Sequence, residues 1–445
     1  MKLSQVASVL DATLIGHDAD VQSFSIDTRT LQKGDLFIAL RGPHFDAHDY
    51  IEEAITKGAV GAIVSKPLQT KLPIIPVQDT HHALTALAVH QRSQIHRPVI
   101  AITGSCGKTT TRMLLENILS QNATILASPS SFNNDIGVPL TLLRWRSEYQ
   151  YAVLEMGANH PGEIARLTQL VKPSVVVITN AAAAHLEGFG DIEGVVRAKG
   201  EIFQGLLPTG VAILNQDDLH VNRWYEQVGA RRAVTFGIHH TADVMAKDID
   251  LDRETKPSFT LHWPQQSLRV TLPLIGAHNV HNALAAAAVG YALGISLEMV
   301  KAGLESAVPV YRRLVEHRDA RGAMIIDDSY NANPLSVEAA IQVLAKRTGQ
   351  RILVLGDMLE LGSSANDWHR HIGQLARRSG IHQLYGYGNH SRYAAQAFGE
   401  QGYHFNDQVL LSRALQRSLQ HNSTVLIKGS LGMKMNQIVS FLLKE

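Results

Sequence analysis

A five-residue apolar run, VIAIT (99–103), passes directly into GSCGKTT (104–110), and the helix-like TRMLLENIL (111–119) follows. A strand that enters a glycine turn and opens a helix confines this segment to one edge of a parallel α/β sheet. Successive backbone N–H groups and the helix N-terminus then face an anion. Lys108 is placed to meet β and γ phosphates, and the Thr109 hydroxyl to reach a magnesium ion, which prefers oxygen ligands. Gly104, Ser105, Cys106, Gly107 and Thr110 complete the candidate nucleotide loop. The strict pattern GxxxxGK[ST] is not met, because Ile102 stands at its first glycine. A glycine turn with an exposed lysine is the competing reading, and the flanking strand and helix favour nucleotide binding. Nothing in the sequence gives Cys106 a base or a lowered pKa, so it reads as loop filler rather than nucleophile.

At 445 residues the chain exceeds what one core usually serves, so two to four domains are expected. Hydrophobic residues at 45% and charged residues at 18% fit a globular class. No apolar run reaches the roughly 18 residues of a spanning helix, so no membrane span is expected. The N-terminus MKLSQVASVLDATLIG lacks the apolar block and cleavage site of a secretory signal, which makes the cytoplasm the expected compartment. The single cysteine fits a reducing environment. A net charge of +1 provides no basic field for a polynucleotide, so no nucleic-acid partner is expected and a small molecule is favoured.

Along the chain, DLFIAL, YIEEAITKG, AVGAIVS and LPIIPV alternate between strand and helix periods, the pattern of an α/β fold. A helix-like segment from His81 leads into Pro98, which interrupts the pattern. Residues 1–80 form the first block ahead of that segment. The second block, 81–310, repeats the alternation through YAVLEMG, PSVVVITN and GVAILN. It then changes to a polar/apolar alternation over 243–274, which predicts a small antiparallel sheet. Two helices, near 279–294 and 296–306, close it, and Pro309 marks the next boundary. The third block, 311–445, reads strand, loop, helix again in a doubly wound pattern.

Three further positions carry candidate chemistry. Glu155 ends the strand-like YAVLE, where a carboxylate at the C-terminal edge of a parallel sheet can complete a metal shell. His185 stands at a strand exit, and Lys199 follows on a helix fourteen positions later. On spacing alone Lys199 reads equally as a solvent-facing lysine beside Glu201, and His185 as a structural donor.

GSCGKTT, NAAAAHLEGFG, RAKGEIF, GAHNVHNALAAAA, DDSYNANP, LGDMLELG and KGS occur in one order that resembles the Mur ligases of peptidoglycan synthesis, across nearly the whole chain. SIDTRTLQKGDLFIALRG, DDSYNANP and GDMLELG most resemble the branch that adds a D-alanyl dipeptide. The resemblance implies three domains: an N-terminal α/β UDP-binding domain, a central P-loop ATPase domain and a C-terminal Rossmann-like domain that closes over the site. It implies that ATP phosphorylates the terminal carboxylate of UDP-N-acetylmuramoyl-tripeptide and that the amine of D-alanyl-D-alanine attacks the acyl phosphate. Two magnesium ions and a monomeric enzyme are expected.

The family reading gives Lys108 the phosphates, Thr109 and Glu155 the first magnesium, and His185 the second. Lys199 matches a lysine that carbon dioxide carbamylates, turning a cation into an acidic oxygen ligand. Asn279 and Asn282 match positions near the adenine. Arg313 and Asp328 match residues that reach the nucleotide after closure. On the substrate side the resemblance assigns Asp27, Thr28, Arg29, Asp46 and His48 to UDP-binding loops, and Asn133 and Asn134 to polar contacts. The chain departs from the family pattern at Tyr311-Arg312-Arg313, where Pro-Gly-Arg is usual, at Leu431, where arginine is common, and at Ala47, where glycine is common.

Two rivals are distinguishable in sequence. A sister ligase that adds a diamino acid commonly carries Asp-Asn-Pro-Arg, and a guanine-nucleotide switch commonly carries Asn-Lys-x-Asp. This chain has neither.

Overall fold

The computed structural model describes residues 1–129 and 132–444. Three sheets follow one another along the chain, each inside one of the three sequence blocks. The first is parallel and four-stranded, in the order Ser23–Ser25, Asp35–Ile38, Gly61–Val64 and Ile74–Pro76. Its two central strands are buried at every position, as their near-continuous apolar sequences require.

The central sheet has nine strands. From one edge, Ile125–Ala127, Tyr151–Glu155, Val99–Thr103, Val175–Ile178, Val211–Asn215, Arg232–Gly237 and Val244–Leu251 run parallel. Pro257–Trp263 and Gln266–Thr271 then add antiparallel at the far edge. The antiparallel strands expected over 243–274 are present, and they continue the main sheet at its edge. The join is the parallel pairing of Phe236 with Val244 and Gly237 with Met245. Strand Val99–Thr103 lies between neighbours that come later in the chain on either side, so its C-terminal end is a topological switch point, where α/β sheets bind ligands.

Helix His278–Ala292 is buried on nearly all sides. Its alanines let it lie close against helix Lys108–Ser120 and the sheet, which accounts for the NALAAAA run. Helix Thr80–Ser93 packs against Leu3–Val9 as well as Gly137–Leu143 and Glu163–Val171, so one apolar core runs from the first block into the second.

The C-terminal sheet has six strands in the order Val315–Arg318, Met324–Asp328, Ser423–Lys428, Gln350–Gly356, Gln383–Tyr387 and Gly402–Phe405. Only the first pairing is antiparallel. Helices cover both faces over two separate cores, the doubly wound arrangement expected. Among the described residues no helix is long and apolar enough to cross a membrane.

Candidate active site

Strand Val99–Thr103 is fully buried and ends in Gly104, whose φ of +146° is left-handed backbone. A Cβ at Gly104 would stand 1.9 Å from the Thr179 hydroxyl. Gly107, at φ +81°, lies where a Cβ would stand 2.2 Å from Asn282 Oδ1. Both positions thus demand glycine for conformation and for space. The turn is fixed from the neighbouring strand: Asn180 accepts from the Cys106 N–H through Oδ1 at 3.0 Å and from the Ser105 N–H through its carbonyl at 3.0 Å. Helix Lys108–Ser120 starts immediately after, and its first amides have no intrahelical acceptor. Gly107→Ala is expected to weaken binding of a non-hydrolysable ATP analogue on the order of tenfold or more, with an unchanged circular dichroism spectrum. Calorimetric titration measures it, and undiminished affinity would contradict the reading.

Lys108 turns back to donate to the Gly104 carbonyl at 2.7 Å. Burial, with Arg313 nearby, lowers its pKa. One helical face then carries two more groups. Thr109 donates to Glu155 Oε2 at 3.1 Å, and Arg112 Nε donates to Glu155 Oε1 at 2.9 Å. Glu155 is fully buried rather than solvated, and its charge is balanced by Arg112. Sequence reading missed Arg112; its place one turn after Lys108, with Glu116 at i+4, was the available signal.

The loop opens into a cleft of about 1230 Å³ between the central and C-terminal sheets, large enough for more than one ligand. Among the described residues its lining begins at Ser105 and includes every expected nucleotide-loop residue after Gly104, together with Asn133, Asn134, Glu155, His185, Asn279, Asn282, Arg313 and Asp328. Asn134 also caps a helix turn by accepting from the Gly137 N–H at 2.9 Å.

Arg313 Nη2 donates to Thr109 Oγ1 at 3.0 Å, and its guanidinium stacks 4.4 Å from the Tyr330 ring centroid. Arg312 points elsewhere, to Ser329 and Asn436, and it carries a left-handed φ of +60°. Of the two arginines, the cleft therefore receives Arg313. Asn333 donates to the Ser105 carbonyl at 3.4 Å and accepts from Cys106 Sγ at 3.2 Å. Cys106 thus does more than fill the loop, because it touches the C-terminal domain. Burial raises its pKa, away from a nucleophilic thiolate.

Asp328 lines the cleft, yet one of its oxygens is committed to Lys428 at 2.7 Å. Burial pushes the Asp328 carboxyl above its ordinary range. Asn279 and Asn282 also reach the cleft with amides largely committed. Asn279 donates to the Ile275 carbonyl at 2.8 Å, and Asn282 donates to Asn279 Oδ1 at 2.8 Å. In this arrangement they brace Gly107 from behind. Asp217, Asp218, His220, His239, His278 and His281 share that end of the cleft, and burial pushes His278 down to about 4.

His185 caps helix Leu186–Phe189 with a φ of +55°. Its Nδ1 is hydrogen-bonded to Glu360 of the C-terminal domain, and the imidazole holds Glu360 below the usual carboxylate range. Lys199, on helix Ile192–Gly200, lies behind the cleft rather than on its lining, 1% exposed, with Nζ 5.6 Å from the centroid of Phe189. The solvent-facing alternative for it is therefore excluded. Glu201, which suggested a polar surface, instead accepts from the Gly162 and Ala165 N–H groups. Burial, with Lys108 adding to it, lowers the Lys199 pKa to about 7.

The N-terminal candidates lie outside the cleft lining. Asp27 accepts from Arg29 at 2.6 Å, and Thr28 is buried with its carbonyl accepting from Lys57. Asp46 accepts from Lys66 at 2.9 Å. His48 is buried with both ring nitrogens engaged: Nε2 accepts from the Ser65 N–H, so Nδ1 donates to Asp46. His48 has no free ring nitrogen for a ligand, which makes it a support for the Asp46 turn.

The donor set fits a divalent cation. A hydroxyl and a carboxylate oxygen meet at Thr109 and Glu155, the hard ligands magnesium prefers, and among the described residues none hydrogen-bonds His185 Nε2. Among the described residues no group of three or more His, Cys, Asp or Glu is gathered to hold a metal ion.

The description Mur ligase family, catalytic domain, matches residues 20–92; Mur ligase middle domain matches 102–290; and Mur ligase, glutamate ligase domain, matches 312–431. The chain is 42% identical over 440 residues to the UDP-N-acetylmuramoyl-tripeptide–D-alanyl-D-alanine ligase of Escherichia coli strain K12, covering 98% of this chain and 97% of that one. It is similar to a MurF crystal structure from Acinetobacter baumannii at a TM-score of 0.92 and 36% identity, covering 99% and 98% of the two chains. It is also similar to the MurF ligase of Thermotoga maritima in complex with ADP, at a TM-score of 0.81 and 26% identity, over 96% and 98%. With its three sheets in this order, its three matched family regions and relatives of this identity over nearly its whole length, the chain belongs to the Mur ligase family.

Proposed function

We propose that this chain is an ATP-dependent, ADP-forming ligase that joins D-alanyl-D-alanine to UDP-N-acetylmuramoyl-tripeptide, acting as a cytoplasmic monomer. The observation that carries this reading is 42% identity to an enzyme of that name over 98% of the chain. A carboxylate is a poor electrophile until one of its oxygens becomes part of a leaving group. The tripeptide carboxylate attacks the γ-phosphorus of ATP and releases ADP. The dipeptide amine then attacks the acyl carbon, and the tetrahedral intermediate collapses to the amide as phosphate leaves and the amine proton is lost.

Two anions must approach each other in the first step, so the chain has to supply positive charge where it builds. Lys108, at the start of the loop helix, and Arg313, which reaches Thr109 from the C-terminal domain, supply it, and the loop amides hold the phosphates. Thr109 and Glu155 would hold one magnesium ion and His185 a second, whose bound charge neutralises phosphate oxygens. The neutral amine of Lys199 can add to carbon dioxide, losing one proton and becoming a carbamate, an acidic group where the chemistry calls for one. The N-terminal sheet and its Asp27–Arg29 and Asp46–His48 loops would receive the UDP portion. The domain limits 1–80, 81–310 and 311–445 are part of this reading.

Incubating the protein with ATP, magnesium, UDP-muramoyl tripeptide and D-alanyl-D-alanine is expected to give the pentapeptide by mass spectrometry, with ADP and phosphate released only when both acceptors are present. Product solely from the dipeptide precursor and a diamino acid would reassign the step. Hydrolysis indifferent to both acceptors would point to a nucleotide switch.

A further inference from the structure

The hydrogen bond between His185 and Glu360 joins two domains, and both residues are non-glycine residues in left-handed backbone, at φ +55° and +63°. Strained conformations of this kind persist only where the surroundings hold them, and they concentrate at functional sites. The surroundings of Glu360 are firm. Asp357, three residues earlier, accepts N–H bonds from Asn389, His390 and Ser391, and the Met358 and Leu359 N–H groups donate to His369 Nε2 and Ser430 Oγ. The Glu360 carbonyl in turn accepts from the Glu187 N–H at 3.1 Å, and Leu186 packs against the C-terminal core. Glu360 is therefore delivered to His185 on a rigid mount, from a domain joined to the central one through a linker whose Val308 and Tyr311 are exposed.

An ionised carboxylate is acceptor-only, so its bond to Nδ1 fixes the imidazole proton there and leaves the Nε2 lone pair free. His185 lines the same cleft as the phosphate loop. A carboxylate that orients a histidine toward a metal is a recurring arrangement, and removing it typically weakens metal affinity or activity roughly 10–100-fold. We propose that Glu360 is a positioning residue, carried in by domain closure, that sets the His185 tautomer so that Nε2 is presented to a divalent cation in the cleft. This rests on the reading of His185 as a metal-facing residue in the proposed ligase. Closure then couples to cation affinity through one side chain, since the open enzyme lacks the carboxylate.

The test uses the full-length chain with Mn2+ and a non-hydrolysable ATP analogue. Pulsed electron paramagnetic resonance is expected to show nitrogen coupling from one imidazole in the wild type and none in His185→Ala. Glu360→Ala is expected to weaken the second Mn2+ by roughly 10–100-fold and to lower kcat with little change in the KM for the dipeptide. Glu360→Gln, whose Oε1 still accepts from Nδ1, is expected to recover most of both. Proteolysis of the linker near Pro309 reports closure separately, and its protection by the analogue is expected to persist in Glu360→Gln. Equal Mn2+ affinity and undiminished nitrogen coupling in Glu360→Ala would overturn the proposal. So would losses that follow only the loss of linker protection and are not restored by glutamine. A wild type that makes the pentapeptide without nitrogen coupling would overturn this inference and leave the ligase reading standing, whereas absence of product would remove the ligase reading itself.

Discussion

Lys199→Ala is expected to lose turnover by roughly 10²–10³-fold, the usual effect of deleting one charge-stabilising group, and short carboxylates in solution are expected to restore part of it. The amine sits 1% exposed beside Phe189, and the Lys108 cation is the main like charge acting on it. A permanent cation there would repel Lys108 and pay for full desolvation, and the structure avoids both by lowering the pKa from 10.5 to about 7. Between those two values the unfolded chain binds the proton and the folded chain does not. Stability therefore rises with pH across that window and is lost as pH falls toward 7. The neutral amine is also the form that captures carbon dioxide, so a carbamate signal from 13C-labelled bicarbonate is expected to fade below pH 7. In Lys199→Ala the signal and the pH dependence should both vanish. A variant that stays fully active without added carboxylate would take Lys199 out of the mechanism.

Much of this site was legible in the sequence because its parts are local. A strand, a glycine turn and a helix start identify the loop around Lys108 within a dozen residues, and the strand end at Glu155 follows from period alone. What could not be read was pairing across the fold. Arg112 balances Glu155 over 43 positions, and Glu360 reaches His185 over 175. LGDMLELG was visible as a motif, yet nothing in its spacing separates Asp357, which caps a helix, from Glu360, which faces the cleft. Burial was equally hidden for Lys199, since one lysine on a helix with a glutamate two residues on has the pattern of a surface position. The antiparallel strands were recognised by their alternation, but their attachment to the main sheet depends on two residue pairs that carry no local signature. Arg312 shows the converse: its place in the sequence invited confusion with Arg313, and the backbone resolves it by turning the two side chains to different partners.

Lys428→Ala is expected to destabilise the C-terminal domain by about 3–5 kcal/mol at neutral pH, because it strands a buried carboxylate. Asp328 and Lys428 are register partners at the C-terminal ends of adjacent parallel strands, 8% and 3% exposed, and Lys428 Nζ bonds both Asp328 and the Asn331 carbonyl. A fall in that domain's Tm of roughly 10 °C or more in scanning calorimetry is the expected readout. The Asp328 carboxyl already lies above its ordinary range through burial, and losing its cation raises it further. A carboxyl raised in the fold is favoured below its unfolded pKa, and that advantage is lost as pH rises through the folded value, so the defect should be smallest in acid and largest at neutral pH. Lys428→Met combined with Asp328→Leu removes both charges and should recover most of the stability while remaining defective as a ligase. An unchanged Tm in the single variant would mean that water, rather than Lys428, satisfies Asp328, and would weaken the case that this pair fixes the strand ends facing the cleft.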